Sequence, residues 1–130
     1  MKHLLSFAQI IELDSSIIEV IVNKDIEITI EMMEEYDEFL DRHFTQAIGV
    51  LVNTINPYRY SFEAKLLAGS HEKVKAMAVL YYKESTVKQV QEITQTRAVD
   101  NLNVKTFNAL NMGRQTAKQW LESQLALVSS

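Results

Sequence analysis

The chain has no cysteine, a single proline, three glycines and one tryptophan in 130 residues. The lack of cysteine excludes disulfide bonds, thiolate metal sites and a cysteine nucleophile. The glycines never cluster, so the chain carries neither a glycine-rich phosphate loop nor a dinucleotide-binding fingerprint. Its histidines lie far apart without a His-x-x-x-His pair, and no serine stands in a G-x-S-x-G elbow. We therefore expect no metal site, no cofactor and no hydrolase-type catalytic set.

Long hydrophobic runs are also absent. No apolar run approaches the roughly 20 residues that a transmembrane helix requires. Near the N-terminus, Gln9 and Glu12 interrupt the apolar residues before the core of a signal peptide is complete. These observations predict a cytoplasmic protein with no integral membrane association.

Charge is low overall but unevenly distributed. The net charge of −4 gives no reason to expect nucleic-acid binding, which requires a basic surface. Residues 1–42 carry 11 acidic and 3 basic side chains, a charge of −8, whereas residues 43–130 carry 6 acidic and 10 basic side chains, a charge of +4. This asymmetry would steer a partner or align two copies of the chain, unless the halves interleave in the fold and their charges cancel.

The first half of the chain predicts a hairpin, a further extended segment and a helix. Residues 5–13 and 17–22 are β-branched runs separated by the turn formers Asp14-Ser15-Ser16. The second run continues toward residues 26–28, whose alternation is typical of a strand near a sheet edge. Thr29 is the predicted N-cap of an acidic helix. We interpret its acidic face as solvated, because sites for hard cations usually add loop carbonyls and a rigid turn.

The second half predicts three further strand and helix pairs. Residues 47–52 form a buried strand, and Ser61 caps a helix that ends near Gly69. A strand at 74–82 precedes a helix capped by Ser85 or Thr86, and a strand at 104–107 precedes a helix capped by Asn111. Residues 124–130 are predicted to fray. The residues predicted to pack inward from these last two helices are Val87, Val90, Ile93, Ala117, Trp120, Leu121 and Leu125.

The resulting order is ββαβαβαβα in one domain of residues 1–130. The content of 47% hydrophobic and 23% charged residues is that of an ordinary folded domain of this length. Strand and helix alternation requires right-handed crossovers and a sheet covered by helices. We therefore predict an α/β fold with a mixed, mostly parallel sheet flanked by helices, whose first strand is antiparallel at an edge.

Any functional site is expected where strands end and helices begin, near the loop of residues 54–61. Tyrosines and cations gathered there would suit an amphipathic or anionic ligand, or a protein surface. Ordinary packing at the sheet edge also accounts for the tyrosines. No catalytic or metal-binding residue is predicted. The candidate ligand or partner surface consists of Thr54, Asn56, Tyr58, Arg59, Tyr60, Tyr82 and Lys83.

The arrangement resembles the SpoIIAA-like branch of the STAS superfamily over about residues 10–122. The marks of this resemblance, besides the leading hairpin, are Ile28-Thr29-Ile30-Glu31, Gly49-Val50-Leu51-Val52, Phe62-Glu63-Ala64-Lys65, Ala76-Met77-Ala78-Val79, and the ending Val104-Lys105-Thr106-Phe107 with Ala117-Lys118-Gln119-Trp120-Leu121. It implies a small stand-alone bacterial protein of regulatory type, related in shape to the CRAL-TRIO lipid-binding fold.

The resemblance also makes Ser61 a candidate for docking or phosphorylation. In regulatory members, a partner kinase phosphorylates the serine of an Asp-Ser-Gly sequence at the start of the second helix, and Ser61 falls near that place. Its neighbours here are Tyr60 and Phe62, so the acidic residue and the glycine are both absent. Helix capping alone also explains a serine at this position.

Three functions follow as hypotheses. The first is a non-enzymatic regulatory or interaction module that docks on a protein partner or a second copy through the loop before the second helix. The alternative is a binding or carrier protein for a small amphipathic ligand such as a lipid. The third is an enzyme of unknown type, which the absence of a visible nucleophile, base or metal set disfavours.

Overall fold

Apolar runs and capped segments form strands and helices in close sequence along the chain. The structure is a computed structural model that describes residues 1–129, without the side chain of Ser129. The strands are β1 (Lys2–Leu4), β2 (Ala8–Glu12), β3 (Ile17–Val22), β4 (Ile26–Ile28), β5 (Ile48–Asn53), β6 (Tyr58–Tyr60), β7 (Val74–Tyr81) and β8 (Val104–Asn108), and the helices are α1 (Ile30–His43), α2 (Phe62–Lys65), α3 (Glu84–Thr96) and α4 (Gly113–Ser129).

Six strands form one sheet in the order β1-β2-β3-β5-β7-β8. Strand β2 is antiparallel to both of its neighbours, β1 and β3, and β3, β5, β7 and β8 are parallel. The parallel strands are added in one direction, so right-handed crossovers place α1, α2 and α3 on the same face. Helix α4 returns across the opposite face. The predicted α/β fold with a mostly parallel sheet flanked by helices is confirmed.

The two faces of the sheet carry separate hydrophobic cores. Strand β5 lies in the middle and is buried at every position. On one face, Ile18 and Val50 pack with Leu40 of α1; on the other, Ile17 and Leu51 pack with the helix α4. Ala117 and Leu121 of α4 are fully buried, as predicted, with Trp120 and Leu125 half-buried beside them.

Three short strands change the predicted order. Strand β1 pairs with β2, so the first strand of the predicted hairpin is not at the sheet edge. Residues 26–28 do not extend β3 but pair in parallel with β6 as a separate two-stranded sheet. The physical reason is Asp25, whose positive φ of 61° turns the chain while its amide donates to the carbonyl of Pro57 at 2.7 Å.

The observed starts of α1 and α2 agree with the predicted starts, whereas those of α3 and α4 differ from them. The Thr29 hydroxyl accepts the amide of Met32 at 3.3 Å, which confirms the predicted cap. Helix α3 begins earlier than predicted, with Lys83 rather than Ser85 or Thr86 as N-cap. Helix α4 begins only at Gly113, because Asn111 adopts a left-handed conformation with φ 58°.

The last helix runs through Ser129, into the segment predicted to fray, and Ser130 lies outside the described residues. Helix α2 is shorter than predicted, but Gly69 has the positive φ of 75° expected after a helix end. Among residues 1–129, no helix combines the length and apolar content needed to cross a membrane.

The chain order of the strands also decides how the charges are arranged. Strands β1 to β3, from the acidic first 42 residues, lie at one side of the sheet, and β7 and β8 lie at the other. The two halves therefore lie side by side within the sheet instead of interleaving.

Gly113 should be the glycine least tolerant of a side chain. A Cβ at this position would lie 1.5 Å from the carbonyl oxygen of Asn108, so the backbone would have to move. We expect Gly113→Ala to lower the free energy of unfolding by about 3 kcal/mol. Gly49→Ala is the comparison: its Cβ would meet the buried side chain of Leu121 at 3.2 Å, which a small shift of that side chain relieves, and it should cost about 1 kcal/mol. Urea denaturation measures both, and equal costs would contradict this account.

Candidate functional site

A cavity of about 180 Å³ lies between α3 and the sheet, and we call it the α3 cavity. None of the residues that the structure describes in α3 is fully buried. Val90 and Ile93 are half-buried and line the cavity, whereas Val87 does not. Helix α3 thus covers the sheet without packing tightly against it.

The sequence of α3 explains this loose packing. The α3 positions that line the cavity, 85, 86, 89, 90, 93 and 94, lie on one side of the helix. Four of them are polar, namely Ser85, Thr86, Gln89 and Thr94. Burying polar side chains against an apolar sheet costs free energy unless they find partners, so a helix with this mixed face does not close on the core.

One end of the α3 cavity is polar. It lies where β5 and β7 end, and its lining includes Thr54, Asn56, Tyr82 and Lys83. The Thr54 hydroxyl donates to the carbonyl of Leu80 at 2.7 Å, and the Asn56 amide donates to the carbonyl of Val22 at 3.1 Å. These bonds hold the loop after β5 in place.

The other end of the α3 cavity is apolar. Met77 and Val104 line it near the beginnings of β7 and β8, with Leu102 from the preceding loop and Ile93 from α3. Thr94 lies among them, but its hydroxyl donates to the carbonyl of Gln91 at 3.0 Å within the helix. The cavity is therefore amphipathic along the direction of the strands.

Beside this cavity, Arg97 joins the end of α3 to the turn after α2. Its guanidinium donates to the carbonyl oxygens of Lys65 and Ala68 and to the Ser70 hydroxyl, and it pairs with Asp100 at 2.9 Å. Arg97 is only 6% exposed. Buried guanidinium donors need such a full set of acceptors, so this contact holds α2 and α3 together at Ala68, which lines the cavity.

A smaller cavity of about 50 Å³, the Asp37 cavity, shares a wall with the first. The shared wall includes Tyr58 and Tyr60, whose ring centroids lie 5.8 Å apart at 70°. Burial raises the pKa of both phenols, so their hydroxyls stay protonated at neutral pH. Tyr36 also lines the Asp37 cavity, and burial raises its pKa as well.

Besides these tyrosines, the titratable residues that line the Asp37 cavity are Asp37 and His71. Burial raises the pKa of Asp37, and nearby His71 opposes that effect. His71 Nδ1 accepts the amide of Lys73 at 3.1 Å, so its Nε2–H donates to Asp41 at 2.9 Å. That hydrogen bond lowers the pKa of Asp41. His71 therefore has a defined tautomer and links α1 to the start of β7.

A buried polar network lies on the α4 face of the sheet. Glu19 of β3 is 2% exposed and forms an ion pair with Arg114 of α4. The Asn53 amide donates to Glu19 at 2.9 Å, and the Asn53 carbonyl oxygen accepts the Tyr82 hydroxyl at 2.9 Å. Tyr82 therefore connects this network to the mouth of the α3 cavity.

The structure brings six of the eight predicted site residues together. Thr54, Asn56, Tyr58, Tyr60, Tyr82 and Lys83 all line the α3 cavity. Arg59 instead pairs with Glu27 at 3.0 Å on the outer surface of the small sheet. Ser61 caps α2, where its hydroxyl accepts the amide of Ala64 at 3.2 Å, and it lines neither cavity.

Sequence reasoning missed Glu19, Asn53, Arg97 and Arg114. Glu19 had a detectable signal, because a carboxylate in the middle of the apolar run Ile17–Val22 requires a partner. The two arginines had none, since the contacts of Arg97 with the turn after α2 and of Arg114 with Glu19 span long sequence separations.

Comparison of the chain with protein-family models, with curated proteins and with solved structures finds no match. The resemblance to the SpoIIAA-like branch therefore stays a prediction.

Because the pKa shifts of Asp37 and Asp41 are opposite in direction, the contributions of these two side chains to stability should depend on pH in opposite ways. Asp37 has a raised pKa in the folded state, so its contribution to stability is lost as the pH rises through that pKa. We expect Asp37→Asn to raise the melting temperature at pH 7 and to leave it unchanged near pH 3, where both side chains are neutral.

Asp41→Asn is the matched comparison, one helical turn further along α1. Its lowered pKa means that its stabilisation is present at neutral pH and lost as the pH falls. This variant should melt lower than wild type at pH 7, and the difference should shrink only once the pH falls below the ordinary pKa of an aspartate, toward the lowered pKa of Asp41. Thermal unfolding followed by circular dichroism checks both, and the same sign for the two variants at pH 7 would refute the assignment.

Proposed function

We propose that the protein binds a small amphipathic molecule in the α3 cavity and releases it unchanged, in the cytoplasm. The observation that carries this proposal is the cavity itself, which is apolar over the sheet and polar at one end, and which contains most of the residues predicted as a ligand surface. Ligand sites are typically concave and apolar, with a few polar groups that orient the ligand.

The volume of the cavity limits the size of the apolar part of the ligand. An apolar cavity of about 150 Å³ accommodates benzene, so the α3 cavity of about 180 Å³ has room for an apolar body of about six to eight carbon atoms. A larger molecule would extend through the mouth near Tyr82, which is 44% exposed.

The hydrogen bonds and protonation of the polar groups at the cavity agree with a binding role. The hydroxyls of Thr54 and Tyr82 already donate to protein oxygens, and the phenols of Tyr58 and Tyr60 stay protonated. Groups held in this way present a fixed surface to a ligand. They orient it without supplying a free base or nucleophile.

Filling the cavity should abolish binding. We expect 1-octanol to raise the melting temperature of wild type by several degrees, since a ligand at 100 times its Kd adds about 2.7 kcal/mol. Val90→Trp should remove this shift, because the indole would occupy the space that Val90 now lines. Ile93→Phe should act in the same direction.

The matched control is Val99→Trp. Val99 is 97% exposed and does not line the cavity, so this variant should respond to 1-octanol as wild type does. Differential scanning fluorimetry measures the shifts, and circular dichroism without ligand verifies folding. An undiminished shift in folded Val90→Trp and Ile93→Phe would disprove the proposed site.

A second candidate function is protein docking, which the resemblance to the SpoIIAA-like branch implies. The observation that favours it is an apolar surface around α2, where Phe62 is 71%, Leu66 44% and Leu67 39% exposed. These side chains are adjacent along the chain to Ser61 and leave an unusually apolar exposed surface for such a short segment.

The double variant Phe62→Ser, Leu66→Ser tests docking between copies. If the α2 surface joins two copies, sedimentation should show wild type shifting from monomer to dimer with concentration and the variant staying monomeric. The control is Leu4→Ser, which removes a side chain that is 74% exposed on β1, far from α2 along the chain. A monomeric wild type at all concentrations argues against self-docking.

A further inference from the structure

We propose that the ligand of the α3 cavity is a monoanion, a carboxylate with an apolar body of about six to eight carbons, whose head lies at Lys83. This inference rests on the proposed binding function and adds the charge, the orientation and the chemical class of the ligand.

The negative charge of the proposed ligand is inferred from the residues that line the cavity. Among the described lining residues, Lys83 is the one with a charged side chain; the rest are apolar, hydroxyl or amide residues. No carboxylate within residues 1–129 lies at ion-pair distance from Lys83. Glu84 follows it in the chain but does not line the cavity. The cavity therefore offers one cation without a counter-ion.

The same end of the cavity carries further groups that favour an anion. Lys83 is the N-cap of α3 and makes no side-chain hydrogen bond to the first turn of this helix. A helix without a capping acceptor leaves positive potential at its N-terminus, which Glu84 in the first turn offsets in part. Ser85 and Thr86 line the cavity within that first turn and supply hydroxyl donors.

The orientation of the proposed ligand is inferred from the difference in polarity between the two ends of the cavity. Lys83, Tyr82 and Thr54 lie where the parallel strands end, and Met77 and Leu102 lie at the opposite end. An amphiphile bound in the reverse direction would place its charged head among apolar groups, which is costly. The tail therefore points toward Met77 and Leu102.

A single cation at a partly open mouth fits a single negative charge. A carboxylate matches one lysine and neighbouring hydroxyls, whereas a doubly charged phosphate monoester would keep a charge uncompensated. Exposed ion pairs contribute modestly, so we expect about a fivefold gain in affinity from the charge rather than a large one.

The test compares three probes of equal chain length, namely octanoate, 1-octanol and octylammonium, by isothermal titration calorimetry. Wild type should bind octanoate about fivefold more tightly than 1-octanol, and octylammonium more weakly than both. Lys83→Gln should bring octanoate to the level of 1-octanol, and Lys83→Glu should favour octylammonium. Lys88→Gln is the control, because Lys88 is exposed on the same helix and does not line the cavity.

The outcomes separate this inference from the function on which it rests. Equal affinity for octanoate and 1-octanol, or a preference for octanoate that survives Lys83→Gln, overturns the anionic ligand and leaves the binding cavity standing. Loss of the preference in Lys88→Gln as well also overturns it. If none of the three probes binds wild type, the inference and the proposed binding function fall together.

Discussion

The burial of β5 on both faces is the constraint on which the other features depend. Every position of this strand is buried, so the sheet requires cover on both sides. Right-handed crossovers place α1, α2 and α3 on one face, and α4 alone covers the other. Cover is uneven on the three-helix face, because α2 has only four residues and α3 presents polar as well as apolar side chains to the sheet. The α3 cavity is the space that this uneven cover leaves.

Two arginine contacts, one made by the buried Arg97 and one by the buried Glu19, and one histidine contact hold the covering elements in place. Arg97 joins the end of α3 to the turn after α2, and Arg114 joins α4 to Glu19 in the sheet. His71 joins the start of β7 to α1. Each contact satisfies polar groups that would otherwise be costly to bury, and each lies at the margin of a helix rather than in the apolar core. Of the three, the Arg97 contact lies beside the α3 cavity and fixes its wall at Ala68 without filling it.

The residues named from the sequence were found for a reason that the structure explains. Strand ends in a parallel sheet meet at the same edge, so Thr54 and Asn56 after β5 had to lie near Tyr82 and Lys83 after β7. Arg59 was included as a cation beside the tyrosines, and Ser61 because of the resemblance to the SpoIIAA-like branch. In the structure, β6 places Arg59 on the outer surface and α2 engages Ser61 as its cap. The strand β6 itself was not predictable, because three residues carry too little periodicity to distinguish a strand from a loop.

The sequence by itself determined the fold class, the helix start at Thr29, the buried strand β5, the inward face of α4 and the sheet edge where Thr54, Asn56, Tyr82 and Lys83 meet. These follow from local propensity and from periodicity, which depend on neighbours in the chain. Only the tertiary structure decided that α3 stands away from the sheet, that residues 26–28 leave the main sheet at Asp25, and that Glu19 finds Arg114. These depend on contacts between residues far apart in the chain, and the strength of such contacts is set by the geometry of the packed fold rather than by any local pattern.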